Sequence, residues 1–406
     1  MTGPAAPAAD AARALTPRGT PRGRTRCAVV GVGQTRHAAA RSDVTMAGLA
    51  REAALAALAD AGLGWDAVDA VVLGTAPDTI EGVMSPELSM APALGAVGKP
   101  TFRAYTSGNA GGQAATLGVG LVASGRFARV LVVAYEKQSE GRTGAVTLQH
   151  LPFEAPWQGG TGSLYGALCS DYIARSGAPP HIGDVAALKD RRNALRNPFA
   201  QVRRADVTLE AIAASRMLWS PIRLLHASPS SDGACAVVLA AEDAAAGCPD
   251  PAWVHGAATR SEPPVAPAHD FVDPRCGRDC AAAVYRQAGI TDPRRELDVA
   301  ELFVPFSWVE PPTLENVGLA EPGEGWRLVD DGATALDGAL PVNPSGGLLG
   351  ANPIGAAGLV RFAEAALQVR GAAGEHQIDG ARLAVGHAQG GFSNFVAMWV
   401  VGRDKP

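Results

Sequence analysis

No apolar run in this chain approaches the ~20 residues that a bilayer-spanning helix needs, so no segment is expected to cross a membrane. Its six cysteines, at positions 27, 169, 235, 248, 276 and 280, form no Cys-x-x-Cys pair and no Cys/His grouping at zinc spacing, so no metal site is expected. Cys276 and Cys280 stand one helical turn apart and read as ordinary residues of a reduced chain rather than as a disulfide. Neither sign of charge dominates: a formal net charge of -5 and a pI near 5.9 exclude a basic surface for nucleic acid or for anionic lipid. The first 25 residues are mostly Ala, Pro, Thr and Arg without the apolar core of a signal peptide, and are expected to be a disordered tail. These absences point to a cytoplasmic protein. What remains is 47% hydrophobic with few aromatics and 48 glycines, a close-packed globular composition, and 406 residues suffice for two similar domains or one large one.

The chain is organised around PVNPSGGLLGANPIGAAG (341–358), a strand remnant and glycine-rich turn that enters a helix. Beyond Gly358 the apolar Leu359, Phe362, Ala363, Ala366 and Leu367 recur at helical spacing, which puts Arg361, Glu364 and Gln368 on the other face. A helix N-terminus opening onto so few side chains offers unpaired backbone N–H groups to an oxyanion or a polarised carbonyl. The plain alternative is a packing turn whose glycines only allow close contact.

In order, 27–32 reads as a buried strand, 45–61 as a helix closed by Gly62, and 67–73 as a second strand. The GVG at 31–33 is no dinucleotide fingerprint, because Arg36 stands where a third glycine belongs and no helix follows at once. A loop-rich stretch, 75–100, precedes a second glycine turn, TFRAYTSGNAGGQ (101–113), a helix ending at Ser124 and Gly125, and a strand at 130–134. Residues 136–228 break the β–α alternation and read as a mostly helical insertion. The uncharged run 234–241 reads as a strand covered on both faces. After a junction at 247–251 the pattern returns: strand 253–259, helix 280–287 closed by Gly289, strand 297–303, a glycine turn at 350–358 with its helix, then strands 383–385 and 395–401. This repetition predicts two βαβ-rich halves, 26–250 and 251–406, whose glycine-turn helices face a shared cleft.

The motifs NPSGG (343–347), NPIGAAG (352–358), QVRG (368–371), SDGA (231–234), ELFVPFS (301–307), the segment 191–198 and HAQGG (387–391) together resemble the thiolase superfamily, in its sterol-carrier-type branch. The resemblance covers residue 26 to the end. It implies an α/β fold layered αβαβα with the insertion in the first half, coenzyme A thioesters as substrates (coenzyme A being part of the substrate, with no separate cofactor), and a homodimer. Members of the family use a Cys at the tip of the first glycine-turn helix; counting back from Ser124, that slot falls on Gly108. Thr106 and Ser107 are neighbouring hydroxyls, but no base is evident to activate either. The His of the family's His-Pro-x-Gly turn corresponds to Asn352, whose amide can donate a hydrogen bond but not exchange a proton. Phe303 and Val304 replace a polar water-holding pair, and the last acid/base position corresponds to His387.

The expected site therefore comprises His387 and Asn352 as catalytic groups, backbone N–H groups near Gly108 and Gly391 as oxyanion donors, and Ser345 and Phe303 against the substrate. Trp157, Tyr165 and Trp308 read as core rather than as an acyl pocket. Three functions fit: retro-aldol or Claisen-type C–C chemistry without an acyl-cysteine, as in thiolase-like aldolases that work with an OB-fold and zinc-ribbon partner; a non-catalytic or partner-dependent acyl-CoA-binding subunit; or a Cys-independent acyltransferase of secondary metabolism.

Overall fold

The computed structural model describes residues 24–75, 82–106, 108–141, 161–263 and 269–406. The tail expected over 1–25 as far as residue 23, Ser107, Trp157 and part of the insertion thus fall outside the described residues.

Strand β1 (Cys27–Gln34) is buried along its whole length. Thr45 caps helix α1 (Met46–Asp60) by accepting the Gly48 N–H, and left-handed Gly62 turns the chain toward β2 (Ala70–Gly74). The stretch expected to be loop-rich holds a short helix, α2 (Glu87–Ala93), ahead of β3 (Thr101–Ala104). Helix α3 (Ala110–Ala123) and β4 (Arg129–Lys137) follow. The described part of the insertion is helical, α4 (Thr161–Ser176), α5 (Ile182–Ala194) and α6 (Leu209–Ala214), except for a hairpin of β5 (Met217–Trp219) and β6 (Ile222–Arg223). Then come β7 (Asp232–Ala241), β8 (Ala252–Ser261), α7 (Arg275–Ala288), β9 (Val299–Glu301), α8 (Glu310–Asn316), α9 (Ile354–Arg370), β10 (Leu383–Gly390) and β11 (Phe395–Gly402).

Among the described residues the large sheet runs β3-β2-β4-β7-β1-β8-β11-β10-β9. In the first half β2 is parallel to β3 and β4, while β7 is antiparallel to β4 and β1. The second half repeats this: β9 is parallel to β10 and bridged in parallel to Val342, and β11 is antiparallel to β10 and β8. The halves meet where Ala28 and Val29 pair with Trp253 and Ala252. Helix α1 covers β1, β4 and β7 on one outer face and α7 covers β8 and β11 on the other, while α3 and α9 pack on each other and touch strands of both halves. Five layers result, α-β-α-β-α, and no described helix is long and apolar enough to cross a membrane.

Helix α9 is a middle layer, so the face opposite its apolar stripe is buried as well: Arg361, Glu364 and Gln368 on it are all buried, and each is paired. Arg361 Nη1 donates to Glu301 and to Ser345 Oγ, Glu364 accepts from Gln34 Nε2 at 2.7 Å and contacts His376 Nε2 at 2.9 Å, and Gln368 donates to the His376 carbonyl at 2.8 Å.

The polar run of α5 is buried too. Lys189 Nζ lies 2.7 Å from both carboxylate oxygens of Glu310, 3.2 Å from Asp190 and 3.1 Å from the Val342 carbonyl, which ties α5 to the chain leading into α9. Burial pushes the Asp190 carboxyl up to about 7; Lys189 pulls it down, and Glu310 and Glu301 push it further up. The fold therefore favours the protonated acid, and that contribution is complete below the ordinary carboxylate range and lost as pH rises through about 7. Asp190→Asn should flatten the decline in stability between pH 4 and 7, measured as denaturant midpoints across that range; an unchanged slope would remove Asp190 as its source.

Candidate active site

The tips of α3 and α9 meet because glycines face each other at their crossing. A Cβ on Gly111 would stand 2.8 Å from the Gly355 oxygen and the Leu359 nitrogen, and one on Gly358 only 2.7 Å from the Gly112 nitrogen. Most glycines of both turns thus serve close packing. Gly108 does not: its Cβ would sit in ordinary contact, 3.6 Å from Ile354 Cγ1 and 3.7 Å from the Gln389 carbonyl oxygen, and its φ is not left-handed. A side chain would fit at this slot and point between the α9 tip and the end of β10. None is there.

Around the slot, polar atoms are buried without a hydrogen-bond partner among the described residues: Thr106 Oγ1, Asn109 Oδ1 and Asn352 Oδ1. Such groups carry a desolvation cost of about 1–3 kcal/mol each unless a ligand meets them. Asn352 is half-buried and well anchored. Its backbone N–H donates to Ser231 Oγ at 2.9 Å, its Nδ2 to Ser228 Oγ at 3.0 Å, and its carbonyl accepts from Gln138 Nε2. One amide N–H remains to donate elsewhere. A carboxylate not foreseen from the sequence also reaches this tip: Glu136, fully buried at the end of β4, has Oε2 1.9 Å from where a Gly355 Cβ would be, against the first turn of α9, where a negative charge is favoured. The signal for it was a Glu near the end of a largely apolar strand.

His387 is not at this junction. Along β10 the small residues alternate, and the Ala388 methyl packs 2.8 and 2.9 Å from the Cβ positions of Gly112 and Gly358, so Ala388 faces the middle layer and His387 the opposite side. There His387 lines a cavity of about 10 Å³, room for one water, with Gln389, Leu168, Phe271, Val309 and Asn316. Neither Gly108 nor Asn352 lines it. Burial pushes the His387 imidazole down to about 3, so it is neutral near pH 7, and the expectation of a proton carrier at physiological pH is corrected. Its Nδ1 accepts the Phe303 N–H at 3.4 Å, which leaves the ring proton on Nε2.

Ser345 and Phe303 also separate from the junction. Ser345 is turned away from the junction: its Oγ donates to Glu301 at 2.8 Å and accepts from Arg361 at 2.8 Å, so it serves the buried ion pair. Phe303 packs its ring into the large core between the layers and accepts from Gln389 Nε2 at 3.3 Å. Gly391 opens the turn from β10 to β11 with φ 60°, followed by Phe392 at 60° and Ser393 at 65°. All six cysteines are free. Burial raises the thiols of Cys27, Cys169, Cys235, Cys276 and Cys280, which suppresses the reactive thiolate. Among the described residues no group of His, Cys, Asp or Glu is placed to hold a metal.

A family model described as thiolase C-terminal domain-like matches residues 257–403. The chain is 31% identical to an acetyl-CoA acetyltransferase of Methanothermobacter thermautotrophicus, over 93% of this chain and 99% of that one. It is 28% identical to human sterol carrier protein 2, over 89% of this chain and 69% of that one. Among solved structures, the Ltp2-ChsH2(DUF35) aldolase superposes with a TM-score of 0.81 at 26% identity, over 93% of this chain and 98% of that one.

Proposed function

As this chain belongs to the thiolase superfamily, in its sterol-carrier-type branch, we propose that it catalyses C–C bond cleavage of the retro-aldol type on an acyl-CoA thioester, without an acyl-cysteine and together with a second protein. The observation that carries this reading is the side-chain-free slot at Gly108, set between Ile354 and the Gln389 carbonyl, with every cysteine on another segment. The likeness to an aldolase named for two components supports both the reaction type and the partner, and an OB-fold and zinc-ribbon protein is the partner proposed.

In such a cleavage a base takes the β-hydroxyl proton, the Cα–Cβ bond breaks, and its electron pair moves to the thioester oxygen as an enolate. A proton returned to Cα then releases the shorter acyl-CoA alongside a ketone or aldehyde. The free N–H of Asn352 and the first backbone N–H groups of α3 and α9 would hold the enolate oxygen. Glu136 at the α9 tip would take the proton. His387, neutral and on the far side of β10, would keep the Phe303 backbone in place rather than move protons. The expected result is cleavage of β-hydroxyacyl-CoA but not of β-ketoacyl-CoA, lost by about 10²–10⁴-fold in Glu136→Gln and by less than about 10-fold in His387→Gln. A loss in His387→Gln as large as in Glu136→Gln would defeat this assignment.

One observation favours a second reading, a subunit that binds acyl-CoA while its partner does the chemistry: the matched acid/base group, His387, is neutral and turned from the slot. Thioester binding with no turnover, alone or with the partner, would support it.

We also propose a homodimer. In the segment leading to β3, Met84, Leu88 and Val97 are exposed at 76%, 83% and 73%, apolar side chains of the kind that an interface covers. Light scattering should give twice the 41.5 kDa chain mass; a monomer at micromolar concentration would contradict it.

A further inference from the structure

The turn that joins β10 to β11 holds three successive residues at positive φ, two of them Phe392 and Ser393, a conformation costing on the order of 1–3 kcal/mol per non-glycine residue. It is clamped from the side away from Gly108. His269, which is 3% exposed, sets Nε2 2.9 Å from the Phe392 carbonyl and Nδ1 against the Glu262 carboxylate. The other oxygen of Glu262 accepts the Cys276 N–H at 2.6 Å, and Cys276 Sγ donates to the Ser393 carbonyl at 2.8 Å. From the turn the contacts run inward: Ser393 Oγ donates to Gln389 Oε1 at 2.5 Å, Gln389 Nε2 to the Phe303 carbonyl, and the Phe303 N–H to His387 Nδ1. The same turn borders the slot, since the Gln389 carbonyl faces Gly108 and Asn109 Nδ2 donates to the Phe395 carbonyl at 3.2 Å.

We infer that Glu262 and His269 are a positioning pair: by holding the β10 to β11 turn in its left-handed form they aim the Gln389 carbonyl at the Gly108 slot and fix His387 with its proton on Nε2. Neither residue touches the slot. Both lie in the stretch between β8 and α7, and the bond between His269 and Phe392 spans 123 residues, so nothing in local sequence announces the link. A merely structural anchor would lower stability and leave the state of the His387 ring alone. A positioning pair changes the ring.

The inference rests on the proposed activity only for its kinetic arm. In the full-length chain, ¹⁵N spectra of the His387 ring should show the Nε2–H form in the wild type, a mixture of both neutral forms in His269→Ala, and the wild-type pattern again in His269→Gln, whose amide can still donate to the Phe392 carbonyl. With a β-hydroxyacyl-CoA that is cleaved, kcat should fall in His269→Ala by less than about 10-fold, no more than in His387→Gln, with KM within twofold, as expected for misplacement rather than lost binding, and recover in His269→Gln. An unchanged His387 pattern in His269→Ala overturns the inference, as does a His269→Gln variant as altered as the Ala one. If the wild type cleaves nothing, the proposed function fails while the ring spectra still decide this point.

Discussion

Glu301→Ala is expected to lower the unfolding free energy by about 3–5 kcal/mol, the usual consequence of stripping the partner from a buried charge. Glu301 and Arg361 are both buried and in contact, Ser345 Oγ bonds to each, and the Ser345 N–H donates to Glu301 at 3.1 Å. Burial raises the Glu301 carboxyl against the opposing pull of Arg361, so desolvation outweighs the pairing and the ion pair is a poor source of net stability. Breaking it is still costly, since Arg361 would be left charged in the middle layer with no route to water. Glu301→Gln, which keeps an acceptor for Arg361 and for the Ser345 N–H, should lose less. The check is a urea titration of both variants: a drop below about 1 kcal/mol in the Ala variant would mean that water or a shifted carboxylate reaches Arg361.

Gly358→Val should cost about 3 kcal/mol or more, at the upper end of the range for overpacking. The new Cβ would meet backbone, the Gly112 nitrogen at 2.7 Å, and the Ala388 methyl at 2.9 Å. Backbone of a crossing helix cannot rotate away as a side chain can. The two helix tips would move apart, so thioester binding should fall with stability. Gly108→Ala is the contrast within the same turn, because its Cβ would find ordinary contacts; a thermal midpoint near that of the wild type is expected there. Equal losses in both would show that the crossing does not tell the two glycines apart.

Much of the architecture was legible in the sequence because the apolar runs and their glycine stops repeat. Gly62 and Gly289 each close a helix in left-handed conformation and hand the chain to a short buried strand, β2 or β9. The glycine turns before α3 and α9 stand at matching places in the two sheets. What helical spacing could not show was which partners the polar stripe of α9 meets between the two halves of the sheet. The ion pairs of Arg361 and Glu364 went unread for that reason, and Ser345, expected against the substrate from its motif, serves the Glu301–Arg361 pair instead. The position of His387 was readable in principle, since Ala384, Gly386, Ala388 and Gly390 mark one face of β10 as small and closely packed, leaving Val385, His387 and Gln389 on the other. The His269 clamp depends on contacts between distant segments, for which one sequence carries no signal, while Glu136 was marked only as a charge in a largely apolar strand.

The central claim is that an acyl-CoA thioester is handled here without being transferred to the protein. Intact-mass spectrometry of the full-length chain after incubation with β-hydroxyacyl-CoA and β-ketoacyl-CoA, with Gly108→Cys alongside as a chain given a thiol at the slot, tests it most directly. The wild type is predicted to bind thioester and keep its unmodified mass. An acyl adduct on the wild-type chain, at any cysteine or at Ser107, would contradict the account.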